Sequence, residues 1–210
     1  MSRQQSHILL AFVALLLLVA PALGQVVATD AYQVNFFSSI PCAVPQPTVL
    51  PVVALINTGQ AGTPIDANHG TICASIYVFD TNQEMQECCS CPVTANALFS
   101  QSVCDLANRP LTGQPFIVAG VIKLVADQVP ASGVCNPTSI AAPVNGGFRA
   151  WRSNLEAPLI LPRDDSPFQA APLTAQEQQF LGQACAFVLY LGSGRGRCFC
   201  AAEGQGPMGQ

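Results

Sequence analysis

Thr71 to Cys91, TICASIYVFDTNQEMQECCSC, is the stretch whose reading decides the fold. Ile72, Ala74, Ile76 and Val78 fall on one face of a period-two strand. Cys73, Ser75, Tyr77 and Phe79 fall on the other. The run is rich in β-branched and aromatic residues, which suit a pleated surface. It stops at Asp80-Thr81-Asn82-Gln83, where the Asp and Asn side chains can hydrogen-bond the backbone of a turn. The chain then returns as Glu84 to Cys91. A loop of those four turn residues sets Phe79 opposite Glu84 and Ser75 opposite Cys88. Met85, Cys89 and Cys91 then share the face of Val78, Ala74 and Ile72, and Cys88 shares the face of Cys73.

Working outward, Ala31–Ile40 and Val49–Asn57 read as strands, with Pro51 near the start of the second or at a sheet edge. Thr58–Gly70 is a polar loop. Thr94–Val103 fits a short helix or a strand. Phe116–Val125 is almost wholly apolar and reads as a central strand, with Gly120 marking a bulge. Asp127–Gly147 is a loop rich in Pro, Gly, Ser and Asn. Phe148–Leu155 alternates as a strand, and Glu156–Pro172 reads as a Pro-rich connection. Thr174 and Glu177 form a T-x-x-E capping box ahead of a helix. Phe180, Leu181, Ala184, Cys185, Val188 and Leu189 supply its apolar stripe, and Gly192-Ser193-Gly194 its stop. Short strands, Pro-rich connections and one late helix predict a mainly β chain: an antiparallel β-sandwich with one C-terminal amphipathic helix, stapled by disulfides.

The first residues carry an export pattern. Arg3 is followed by an apolar run from Ile8 to Ala20 of about a dozen residues, the length of a signal h-region and short for a membrane span. Ala22-Leu23-Gly24 places small residues at a cleavage site before Gln25. The expected organisation is a signal peptide at 1–24, one β-rich domain at 25–200 and a disordered Gly-rich tail at 201–210. Secretion or periplasmic residence follows. All ten cysteines (Cys42, Cys73, Cys88, Cys89, Cys91, Cys104, Cys135, Cys185, Cys198 and Cys200) lie after that site, so an even set in an exported chain reads as disulfides. Adjacent Cys88 and Cys89 point to opposite strand faces and require different partners. Cys73 is the nearest candidate for Cys88, and Cys198 and Cys200 would tie the end of the helix back to the sheet.

Charge narrows the function classes. The formal charge of −4 becomes −5 once Arg3 is removed. Charged residues make up 10% of the chain, against roughly 25% in ordinary soluble domains. Such a surface lacks the basic footprint that nucleic acid needs, and it permits self-association or an extracellular ligand.

Candidate chemistry is sparse. Cys88-Cys89-Ser90-Cys91 contains C-x-x-C and C-x-C, which would serve a dithiol switch or, with Cys198 and Cys200, a Cys₄ zinc set. The strand context and export favour disulfides over both, and no metal or other cofactor is expected. After cleavage His69 is the one imidazole left for a Ser-His-Asp or Cys-His site. Glu84, Glu87, Asp164 and Asp165 offer carboxylates for a hydrolase acting on extracellular polymer. Trp151, sharing a strand face with Arg149 and Ser153, is a candidate binding platform or a core residue.

ICASIYVFDTNQEMQECCSCPVTANAL (72–98), GVIKLV (120–125), RAW (149–151) and GSGRGRCFC (192–200) resemble secreted cysteine-rich proteins of Acidobacteria that carry no assigned activity. The resemblance spans most of the mature chain. It implies export and a shared fold and transfers no functional residue. The reading that follows is an exported structural or binding module rather than an enzyme.

Overall fold

The computed structural model describes residues 29–38, 49–60, 70–106, 119–156, 161–191, 198 and 200. The expected signal peptide, the 201–210 tail, Cys42, His69 and the helix-stop residues 192–194 lie outside the described residues. Among the described residues, nine strands and two helices follow in chain order: β1 Thr29–Ser38, β2 Val49–Asn57, β3 Ile72–Asp80, β4 Met85–Val93, β5 Leu98–Ser102, α1 Val103–Leu106, β6 Ala119–Gln128, β7 Phe148–Glu156, β8 Leu161–Pro167, β9 Gln169–Ala171 and α2 Ala175–Tyr190. They form a five-stranded sheet in the order β4-β3-β6-β1-β9 and a four-stranded sheet in the order β5-β2-β7-β8. Every pairing is antiparallel.

The two sheets enclose the main core. Ile72, Ala74, Ile76 and Val78 of β3 and Ile122, Leu124 and Ala126 of β6 meet Val53, Leu55, Phe99, Phe148 and Ala150 from the other sheet. A second core lies on the far side of the five-stranded sheet. There Tyr32, Tyr77, Phe79, Cys88 and Val125 pack with Ile140 and with Leu181 and Cys185 of α2. β3 is thus covered on both faces, and all nine of its residues are buried. This explains why both alternating faces of ICASIYVFD are apolar or aromatic rather than apolar and polar. Buried amides stitch the layers together. Gln33 Nε2 donates to the Phe148 carbonyl at 2.8 Å, and Asn35 Nδ2 to the Ser166 carbonyl at 3.0 Å.

The hairpin register differs from the expected one by two residues. Tyr77 faces Cys88, Ser75 faces Ser90 and Phe79 faces Met85, with a bulge between Val78 and Phe79. Asp80 sets the turn. Its carboxylate accepts from the Asn82 and Glu84 amides at 2.8 and 3.0 Å and from Gln86 Nε2 at 2.9 Å. A shift of two preserves facing, so Cys89 and Cys91 keep the face of Val78 and Cys88 keeps that of Cys73. The bulge moves Met85 to the opposite face, where it packs beside Phe79 in the second core.

Other expectations are corrected as well. Gly120 makes no bulge. It pairs in register with Phe37 and Asp80, and a Cβ there would overlap the Phe79 carbonyl oxygen. The glycine serves close strand approach. Pro51 sits in a strand with neighbours on both sides, but it pairs with Asn154 before the β5 ladder begins at Val52. The segment expected to be a connection, Glu156–Pro172, contains β8 and β9. Both are outer strands, the positions that tolerate its prolines. Thr94–Val103 resolves into β5 followed by the start of α1.

Only half of the capping box forms. Thr174 Oγ1 accepts from the Glu177 amide at 3.1 Å. The Glu177 carboxylate turns to the sheet, accepting from Tyr32 Oη at 2.9 Å and pairing with Lys123 Nζ at 2.6 Å. The buried stripe of α2 is Leu181, Gly182, Cys185 and Val188. Phe180 and Leu189, expected inside, are 45% and 42% exposed.

Candidate functional site

β4 is the outer strand of the five-stranded sheet, and it delivers three half-cystines in four residues. Alternation sends Cys88 toward α2 and sends Cys89 and Cys91 toward the main core. Their partners follow from those directions. Cys88 bonds Cys185 in α2, while Cys89 bonds Cys198 and Cys91 bonds Cys200 beyond the helix. Cys73, the expected partner of Cys88, bonds Cys135 instead. The Asp127 carboxylate holds the loop carrying Cys135, accepting from the Ala141 and Ala142 amides at 2.8 and 2.6 Å. Tyr77 Oη reaches the Pro137 carbonyl at 2.8 Å, which brings that loop over Cys73. Cys104 is disulfide-bonded too, and none of the described cysteines is free. Of the sulfurs weighed for a Cys₄ zinc set, Cys89 and Cys91 are bonded to Cys198 and Cys200, and Cys88 to Cys185.

Sequence reasoning weighed Glu87 only as a hydrolytic carboxylate and missed its burial beside the thiol cluster. Glu87 lies on the same strand face as Cys89 and Cys91, opposite Val78, and its accessibility is zero. Neither carboxyl oxygen has a hydrogen-bond partner among the described residues. Burial, and then the charge of Asp105 on α1, push its pKa up to about 9. It is a neutral acid at neutral pH. A carboxyl oxygen of Glu87 and the sulfurs of Cys89 and Cys198 all lie within 4.8 Å of one another. Cys89 and Cys198 are half-buried residues packed against the main core, with the acid beside their sulfurs. The alternation that placed Cys89 and Cys91 inward carries Glu87 with them, and that was the available signal.

The carboxylates weighed for hydrolysis do not converge. Glu84 is exposed in the hairpin turn, Glu87 is enclosed, and Asp165 is exposed on β8 of the other sheet. Asp164 also belongs to β8. Trp151 and Arg149 lie on the outer face of the four-stranded sheet, opposite Ala54 and Ile56 of β2. Trp151 is half-buried there. Arg149 is exposed and bonds Asp30 Oδ2 at 2.6 Å. Burial opposes ionisation of Asp30, but the Arg149 hydrogen bond and charge and the Gly146 amide outweigh it and lower its pKa.

No protein-family model matches the chain, and no curated protein or solved structure is significantly similar to it.

Proposed function

We propose that the protein is an extracytoplasmic structural or binding module. The observation that carries this reading is the layout of the disulfides. Cys73–Cys135 ties the long loop to the five-stranded sheet, Cys88–Cys185 ties the helix to it, and Cys89–Cys198 and Cys91–Cys200 join Cys198 and Cys200 to β4. Bridges of this density persist in oxidising compartments, and they suit a domain that must survive outside the cell. The chain also has no described helix long and apolar enough to cross a membrane. The outer face of the four-stranded sheet offers Trp151 and Arg149 as the contact residues of such a module.

One experiment tests the reading. Mass spectrometry of the exported protein, with and without reduction, reports the N-terminus, the thiol count and the pairing together. The expected result is a chain beginning at Gln25 that holds the four bridges above. Exported protein that retains Met1, or that carries these eight cysteines as thiols, would overturn it.

A further inference from the structure

A buried carboxyl with no partner is costly, and in the oxidised molecule nothing among the described residues repays that of Glu87. Its nearest chemistry is the Cys89–Cys198 bond. Among the described residues, this is the one place where a carboxyl oxygen and two sulfurs lie within 4.8 Å of one another. A disulfide offers a carboxylic acid only a weak acceptor. A thiolate offers a full negative charge. Opening this bridge therefore gives Glu87 the partner it lacks.

We propose that Cys89–Cys198 is an exchangeable disulfide, opened by an external dithiol, and that Glu87 is the proton donor to the departing sulfur. The order of events follows from the connectivity. Cys89 is held in the β3–β4 ladder two residues from Glu87 on the same face. Cys198 lies beyond α2, in the chain that Cys91–Cys200 also tethers. A dithiol thiolate attacks Cys198 Sγ, forming a mixed disulfide. The Cys89–Cys198 bond breaks, and its electron pair goes to Cys89 Sγ, which takes the Glu87 proton. The second thiol of the reductant then resolves the mixed disulfide, leaving Cys198 as a thiol and the reductant as a disulfide. Glu87 regains a proton from water admitted by the opening. Two protein thiols form for two reductant thiols consumed. Exchange rates rise when the leaving thiol is stabilised, so the acid speeds this bridge and not its neighbours.

The test is timed reduction of the full-length oxidised protein by dithiothreitol at neutral pH, followed by alkylation and peptide mapping. Cys89–Cys198 is expected to open at least tenfold faster than Cys91–Cys200 and Cys88–Cys185. Glu87→Gln keeps the shape of the neutral acid but has no proton to transfer. It should slow Cys89–Cys198 at least tenfold and leave the other two rates unchanged. A structural role alone would not move the pH profile. Normalised to dithiol thiolate, the wild-type rate should fall as pH passes the titration of Glu87, and Glu87→Gln should lack that fall. Glu87→Met provides a second variant that also removes the hydrogen-bonding group. Wild-type rates in Glu87→Gln, equal slowing of every bridge, or prior opening of Cys91–Cys200 would each overturn the proposal.

Discussion

With its pKa raised by burial and by Asp105 to about 9, Glu87 folds as the neutral acid over a range where the unfolded chain has already lost the proton. An unfolded glutamate titrates near 4.3. Between those values the native state binds more protons than the unfolded state, so stability falls as pH rises and levels off above the folded value. The stability associated with this group is fully present below the unfolded pKa and lost as pH rises through about 9. At pH 7 the loss from this one side chain is roughly 4 kcal/mol. Asp30 has the opposite sign, since its lowered pKa removes stability only in acid, below the unfolded value, and the two windows do not overlap. Glu87→Gln should therefore be more stable than the wild type at pH 8, and it should shrink the decline between pH 5 and pH 8 by roughly 4 kcal/mol. Urea denaturation at those two pH values measures it, and parallel slopes for both proteins would refute the coupling. Gly120 makes a residue-scale prediction of another kind. A methyl group there meets the Phe79 carbonyl of the neighbouring strand rather than a side chain that can swing away. Gly120→Ala should cost about 1 to 3 kcal/mol and lower the melting temperature accordingly.

At the scale of the element, α2 shows what periodicity conveys and where it stops. Its existence and start were legible in Thr174 and the run after it, because an N-cap and a long apolar sequence are local signals. Its rotation was not. Phe180, Leu181, Ala184, Cys185, Phe187, Val188, Leu189 and Tyr190 leave little polar contrast around the cylinder, and several phases fit. Long-range contacts choose among them. Cys185 must meet Cys88, and Gly182 must pass the Thr138 carbonyl, where a Cβ would crowd the backbone. That rotation buries Leu181 and leaves Phe187 62% exposed. Leu181→Asp should accordingly be severely destabilising, since it sets a charge in an apolar core, whereas Phe187→Asp should change stability by less than about 0.5 kcal/mol. Thermal melts of the pair decide between the two helix phases, and a milder effect at Leu181 would mean that the helix docks on its other side. The strands follow the same logic. β3 and β2 were legible as runs of apolar, β-branched and aromatic residues, and β7 because its residues alternate. β8 and β9 were not, because edge strands admit the prolines and polar residues that read as loop. Glu87 was hidden for a related reason. A glutamate between Gln86 and Cys88 looks like surface by composition, and only strand alternation from Cys89 and Cys91 points it at the core, opposite Val78.

For the whole molecule, the two cores rest on different kinds of support. The core between the sheets is closed by strand ladders and interleaved side chains from β2, β3, β6 and β7. The core beneath α2 is closed by that helix and the loop carrying Ile140, and the helix's ties to the sheet include the Glu177–Lys123 pair, the Tyr32 hydrogen bond and Cys88–Cys185. The ion pair is partly exposed and worth little on its own. Cys89–Cys198 already joins the same two segments, so in the unfolded chain this bridge closes only a short further loop between Cys185 and Cys198. The chain-entropy model assigns a loop of about 15 residues about 3 kcal/mol, and measured bridges typically give about 2 to 4. Replacing both Cys88 and Cys185 by Ala should thus lower global stability by about 2 to 4 kcal/mol. The local consequence should be uneven. Amides of α2 should exchange much faster, because the helix can lift without disturbing the sandwich, while amides of β3 and β6 should retain most of their protection. Hydrogen exchange resolved by peptide, on the oxidised double variant, reads both regions in one experiment. Equal loss of protection in α2 and β3 would show that the two cores unfold as one unit, and unchanged protection in α2 would show that packing of Leu181 and Val188 holds the helix without its bridge.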